Sequence, residues 1–163
     1  HGNKSPAYDN IFLPVYSFDS RHLAYMAQKD EKWFIVKDGE EGPKFDFITL
    51  AQFSKDSQHL LYMAKKGEKW AVVVDGKASE FYDGVAIPTF SPDNKKVGFI
   101  ASNDNSWFFV LDGIEGKERF LGFIKGSDLV FDTDNSAHIL GLHVPEDAVL
   151  GPNIVKFTVS VPN

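Results

Sequence analysis

Three tryptophans, Trp33, Trp70 and Trp107, stand 37 residues apart, and three aspartates, Asp9, Asp46 and Asp83, keep the same interval. An indole offers a large apolar face and a single N–H, so evenly spaced indoles can stack on sugar rings or grip an apolar partner. Evenly spaced carboxylates can form a ring that holds a cation or a basic partner in a central channel. Each carboxylate can equally cap a turn by accepting nearby backbone N–H groups. The next copy of the aspartate position reads Phe120-Leu121-Gly122, which interrupts a ring and favours capping. For the tryptophans, packing alone also demands the same residue in every copy of a repeat.

Other catalytic chemistry finds little support. No Gly-x-Ser-x-Gly occurs, so the nucleophile elbow of serine hydrolases is missing. With no cysteine there is no thiol nucleophile, disulfide or zinc–thiolate centre. The histidines (His1, His22, His59, His138 and His143) show no ligand spacing, and His22 and His59 share one repeat position at the start of a strand. Asp132-Thr133-Asp134-Asn135 resembles half a calcium loop, but the sixth position is Ala137 and the twelfth is His143. A turn cap is the simpler reading. No catalytic residue, metal or cofactor is expected.

The 163 residues carry a net charge of −6, which argues against a phosphate-backbone binder. At 43% hydrophobic and 25% charged, they suit one folded domain. No apolar run approaches the roughly 18 residues of a membrane-spanning helix. Phe, Tyr and Trp number 15, 5 and 3, an aromatic load to be explained.

The elements that position these residues repeat with them. Each tryptophan stands five residues before an Asp-Gly pair: Asp38-Gly39, Asp75-Gly76 and Asp112-Gly113. Upstream lie Ser17-Phe18-Asp19-Ser20, then Phe53-Ser54-Lys55-Asp56-Ser57, then Phe90-Ser91-Pro92-Asp93-Asn94. Val130-Phe131-Asp132-Thr133-Asp134-Asn135 opens a degenerate fourth copy. Between these markers run short stretches rich in Val, Tyr, Leu and Trp, without helical periodicity, bounded by turn residues. Asp-Gly suits a two-residue hairpin turn, since glycine accepts positive φ. In the second copy the strands are expected at about 50–54, 58–65, 69–75 and 79–84. Lys29, Lys65-Lys66 and Lys95-Lys96 read as edge charges that discourage strand-on-strand aggregation.

Four antiparallel strands every 40 or so residues describe the blade of a β-propeller. The Phe-Ser-Pro-Asp-Asn segment, the apolar strand after it and the aromatic strand ending in Asp-Gly resemble the TolB-type, WD-like propeller repeat. That resemblance is good over 8–131 and weak over 132–163. The expected fold is therefore all-β, one propeller domain over 1–163 with blades at about 13–48, 50–85, 87–124 and 127–161. Residues 6–11 would supply the fourth strand of the last blade and close the ring. The alternatives are a homodimer completing a larger ring, or a piece of a longer propeller.

The resemblance implies a non-catalytic scaffold for protein or peptide partners, with a weak lean to the periplasm or a secreted setting. One alternative is a carbohydrate-binding propeller using Trp33, Trp70 and Trp107. Another is the accessory propeller of a larger hydrolase. Asp9, Asp46 and Asp83 are the candidate channel carboxylates, and neither nucleic acid nor membrane insertion is expected.

Overall fold

The structure, a computed structural model, describes residues 7–49, 51–123, 127–143 and 153–160. Among them every regular element is a strand. The chain divides into two compact units, His1–Ser79 and Glu80–Asn163.

In the first unit, β1 (Asn10–Tyr16), β2 (Leu23–Lys29), β3 (Lys32–Lys37) and β4 (Glu40–Glu41) form one antiparallel sheet in that order. The second sheet holds β5 (Phe47–Ile48), β6 (Gln52–Phe53), β7 (Leu60–Lys66), β8 (Lys69–Val74) and β9 (Lys77–Ala78). Both β5 and β6 pair with β7, so they are two pieces of one inner strand. In the second unit, β10 (Gly84–Phe90), β11 (Val97–Asn103), β12 (Ser106–Leu111) and β13 (Ile114–Glu115) repeat the meander. The final sheet places β14 (Gly122–Phe123) and β15 (Val130–Thr133) against β16 (Ser136–His143), with β17 (Asn153–Ser160) on its other side.

Each sheet thus begins with the segment expected to end the previous one. Gly84–Phe90 opens the third sheet, and the outer strand of the second is only Lys77–Ala78. Asn10 and Ile11 pair with Gln28 and Ala27 at the head of the first sheet, rather than lending a strand to the last. Residues 1–6 lie outside the described residues. The cause is the tightness of the Asp-Gly turn. Asp75 and Gly76 sit at φ 48° and 78°, and Asp38-Gly39 and Asp112-Gly113 do likewise. Two consecutive positive φ values make a type I′ reversal. It returns the chain within two residues, leaving the next apolar run free to start a new sheet.

Burial on both faces explains why the strands read as continuous apolar runs. Ala71, Val72 and Val73 of β8 are all buried in succession, as are Phe34, Ile35 and Val36 of β3. In the second unit Phe109, Phe120 and Phe157 fill a core with Ile100, Leu111 and Ile139. Each such side chain is worth roughly 1.5–3 kcal/mol. Two inner strands carry a matched irregularity. Leu13 and Ile87 have φ 47° and 51°, each just before a proline, where the pairing register shifts. Left-handed backbone at a β-branched residue is a strained state, of order 1–3 kcal/mol.

Candidate functional site

The tips of the β2–β3, β7–β8 and β11–β12 hairpins bring the repeated aspartates and tryptophans together. Asp9 Oδ2 accepts the Asp30 N–H at 3.0 Å, Asp46 Oδ2 the Gly67 N–H at 2.6 Å, and Asp83 Oδ2 the Asp104 N–H at 2.9 Å. The three carboxylates therefore cap hairpin turns 21 residues further on. Those turns need such support because Asp30-Glu31 and Asp104-Asn105 run through consecutive positive φ values. Asp46 also pairs with Lys32 Nζ at 2.5 Å. The lysine bond first, then the Gly67 amide, holds its carboxyl below the usual range.

Each tryptophan lies near the start of the strand after its hairpin, and Trp33 and Trp107 tie their backbones to the segment that opens the following sheet. Trp33 exchanges N–H···O bonds with Phe45 at 2.9 Å, and Trp107 does so with Phe120. In the first unit this places four rings in series. Phe12 and Trp33 centroids lie 5.6 Å apart, Trp33 and Phe47 6.3 Å, and Phe47 and Trp70 6.0 Å. The first pair is tilted by 43°, and the next two, at 63° and 77°, have the edge-to-face geometry that the aromatic quadrupole favours. Both tryptophans are half-buried, while Phe12 and Phe47 are 46% and 45% exposed. Neither indole N–H has a hydrogen bond among the described residues. In the second unit Trp107 packs on Phe123 at 5.3 Å, and its ring passes 3.4 Å from where a Cβ on Gly84 would sit. The phenylalanines of this ladder are not part of the tryptophan spacing, and sequence reasoning missed them.

A cleft of about 710 Å³ lies between the first and second sheets. Ile35 and Leu60 line it, beneath a wall that includes Glu40, Asp75 and the Tyr62 phenol. Burial pushes Tyr62 up to about 12.

Histidine–aspartate pairs recur as well. His22 Nδ1 lies 2.7 Å from Asp38 Oδ2, His59 Nδ1 2.7 Å from Asp75, and His138 Nδ1 2.9 Å from Asp132. His22 and His59 were expected only as exposed residues at strand starts, and His138 without a carboxylate partner; the pairs form across a hairpin, 16 residues apart in the first two cases and 6 in the third. A neighbouring serine does not complete a triad. Ser17, Ser54 and Ser91 donate their protons to Asp19, Asp56 and Asp93 at 2.6, 2.5 and 2.6 Å. Ser54 Oγ in turn accepts the His59 backbone N–H at 2.9 Å, so it is a buried turn anchor. Asp132 to Asn135 is likewise structural: Asp134 accepts the Asp93 N–H at 3.0 Å, and Asn135 takes a bond from Lys96. Ser57 ties the first two sheets in the same manner, accepting the Asp19 N–H at 3.0 Å.

No protein-family model matches the chain, and no curated protein matches it. Solved structures do. The β-propeller domain of the Trilobed protease from Pyrococcus furiosus, described as having an open velcro topology, superposes with a TM-score of 0.57 at 12% identity. That match covers 96% of this chain and 56% of the other. TolB from Acinetobacter baumannii aligns with a TM-score of 0.45 at 16% identity, over 93% of this chain and 41% of that one. The chain thus spans about half the length of these structures. The likeness to the Pyrococcus domain shows that the fold is a β-propeller, so each sheet is a blade.

Proposed function

We propose that this propeller is a non-catalytic scaffold that binds a protein or peptide along the hairpin rim of its first two blades. The carrying observation is the Phe12–Trp33–Phe47–Trp70 ladder, whose phenylalanine rings are exposed and whose indole N–H groups lack partners among the described residues. Aromatic anchors with unused donors are what a partner's apolar side chains and backbone carbonyls require. Successive rings are inclined to each other, so they form a ridge that suits side chains better than it suits a flat sugar platform. The serine protons are committed to aspartates, which speaks against hydrolysis by these groups.

The test is selection of displayed random peptides on the purified chain, followed by titration of the winners. Apolar or aromatic peptides should bind saturably, and Phe47→Ala or Trp70→Phe should weaken them about tenfold, the scale of one interface anchor. Saturable changes in tryptophan fluorescence with simple sugars, and no peptide selected, would replace this reading with the carbohydrate one.

A further inference from the structure

We propose that the cleft between the first two blades binds an organic cation, either an alkylammonium or a guanidinium group. Its wall carries four carboxylates, Asp38, Glu40, Glu41 and Asp75, against the single ammonium of Lys37. Asp38 and Asp75 are committed to His22 and His59 and to the backbone N–H groups of Leu23 and Leu60. Glu41 pairs only distantly with Lys44, at 3.9 Å, and lies near the Tyr8 hydroxyl. Glu40 makes no ion pair or hydrogen bond among the described residues. Excess charge of one sign in a concave wall focuses potential on whatever enters.

A second observation points the same way. Tyr62 is 3% exposed, lines the cleft, and its hydroxyl has no hydrogen bond among the described residues. That hydroxyl lies 3.9 Å from the place where a Cβ on Gly42, also lining the cleft, would stand. Held neutral by burial, the phenol keeps lone pairs to accept an N–H from a ligand. Ile35 and Leu60 supply an apolar bed for the aliphatic stem of such a cation.

The second unit shows the same cleft in a smaller form, with its cation nearer the carboxylate. There Phe109, Glu115 and Gly116 face Thr158–Ser160 across about 310 Å³. Arg119 lies 3.6 Å from Glu115 and donates to the Gly116 carbonyl at 2.6 Å. Glu115 and Gly116 are the repeat equivalents of Glu41 and Gly42, and Arg119, which precedes Phe120 as Lys44 precedes Phe45, is the equivalent of Lys44. The first cleft therefore keeps the carboxylate, holds its internal cation more loosely, at 3.9 Å against 3.6 Å, and is more than twice as large.

Calorimetry on the full chain tests this with a five-residue peptide bearing a central arginine and its citrulline twin, which is isosteric and uncharged. N-acetylarginine amide and spermidine are run beside them as free cations. The arginine peptide should bind saturably and about tenfold more tightly than the citrulline twin, as a charge-assisted bond requires. Glu40→Gln and Tyr62→Phe, both shape-preserving, should each weaken it about three- to tenfold with an unchanged Tm. A peptide tighter than the free cations identifies a polypeptide side chain as the source, and equal affinities a small cation. Phe47→Ala on the rim should leave this binding intact, which separates the cleft from the rim reading. Equal binding of the arginine and citrulline peptides, no saturation at millimolar concentrations, or no effect of either cleft substitution would overturn the proposal.

Discussion

Asp75 closes the open end of the β7–β8 hairpin: its Oδ2 lies 2.7 Å from His59 Nδ1, and its Oδ1 accepts the Leu60 N–H at 2.9 Å. The carboxylate at the Asp-Gly turn therefore fastens the end of β8 to the start of β7, and Asp38 does the same with His22 and Leu23. The pair itself is solvent-accessible, so its ionic part is worth at most about 1 kcal/mol. The amide of buried Leu60 matters more, because losing its acceptor costs about 1–3 kcal/mol. Asp75→Ala should lower stability by about 1–3 kcal/mol, and His59→Ala by clearly less. Urea denaturation of both variants checks this; equal losses would place the strength in the ion pair instead.

Acid should loosen the Ser-x-Asp turns. Asp19, Asp56 and Asp93 are each held below the usual carboxylate range, chiefly because the serine two residues earlier donates its hydroxyl to them, with a backbone N–H adding to it. A carboxyl depressed in the folded state stabilises it fully above the unfolded value of about 4. That contribution is lost as pH falls through the depressed folded values. The urea midpoint should therefore drop below about pH 4. Ser54→Ala should flatten part of this dependence, and it should also cost about 1–3 kcal/mol at neutral pH by orphaning the His59 amide. A Ser54→Ala profile parallel to the parent's would refute the assignment.

The Tyr8 hydroxyl is buried with no hydrogen-bond partner among the described residues. Burial first, with the Glu41 and Tyr25 groups nearby, pushes it up to about 12. The second blade already carries Phe45 at this position and Ala78 where the first has Glu41. Tyr8→Phe should accordingly be neutral or stabilise by up to about 1 kcal/mol, since it removes an unsatisfied polar group. A loss above about 1 kcal/mol in thermal or urea unfolding would mean the hydroxyl is satisfied in solution.

Gly141 is required by close approach. A Cβ there would come 2.8 Å from Phe157 Cε2, a ring packed 4.8 Å from Phe120. Gly141→Ala must displace that ring and should cost about 1–3 kcal/mol. Gly39→Ala meets no atom within 4 Å, and its penalty comes from φ of 90° alone, about 1 kcal/mol. Ranking the two by denaturation separates steric from conformational need.

Much of this molecule was legible in order. The 37-residue interval, the Asp-Gly turns and the apolar strands announced four-stranded blades, because each blade must satisfy the same local geometry. The capping role of Asp9, Asp46 and Asp83 was one of the two readings their spacing allowed. The phase of the repeat was not legible: Tyr8-Asp9 could close a sheet or precede one, and only strand pairing decides.

The sequence alone determined that the chain is built of repeated β-meanders rich in aromatic packing, because turn chemistry and side-chain alternation act between neighbours. Tertiary structure decided which groups meet. Phe12 and Phe47 joined the tryptophans, His59 found Asp75, and Tyr62 came to line an acidic cleft with its hydroxyl unpaired among the described residues. Such encounters depend on how one blade is placed against the next, a distance in space that no interval along the chain encodes.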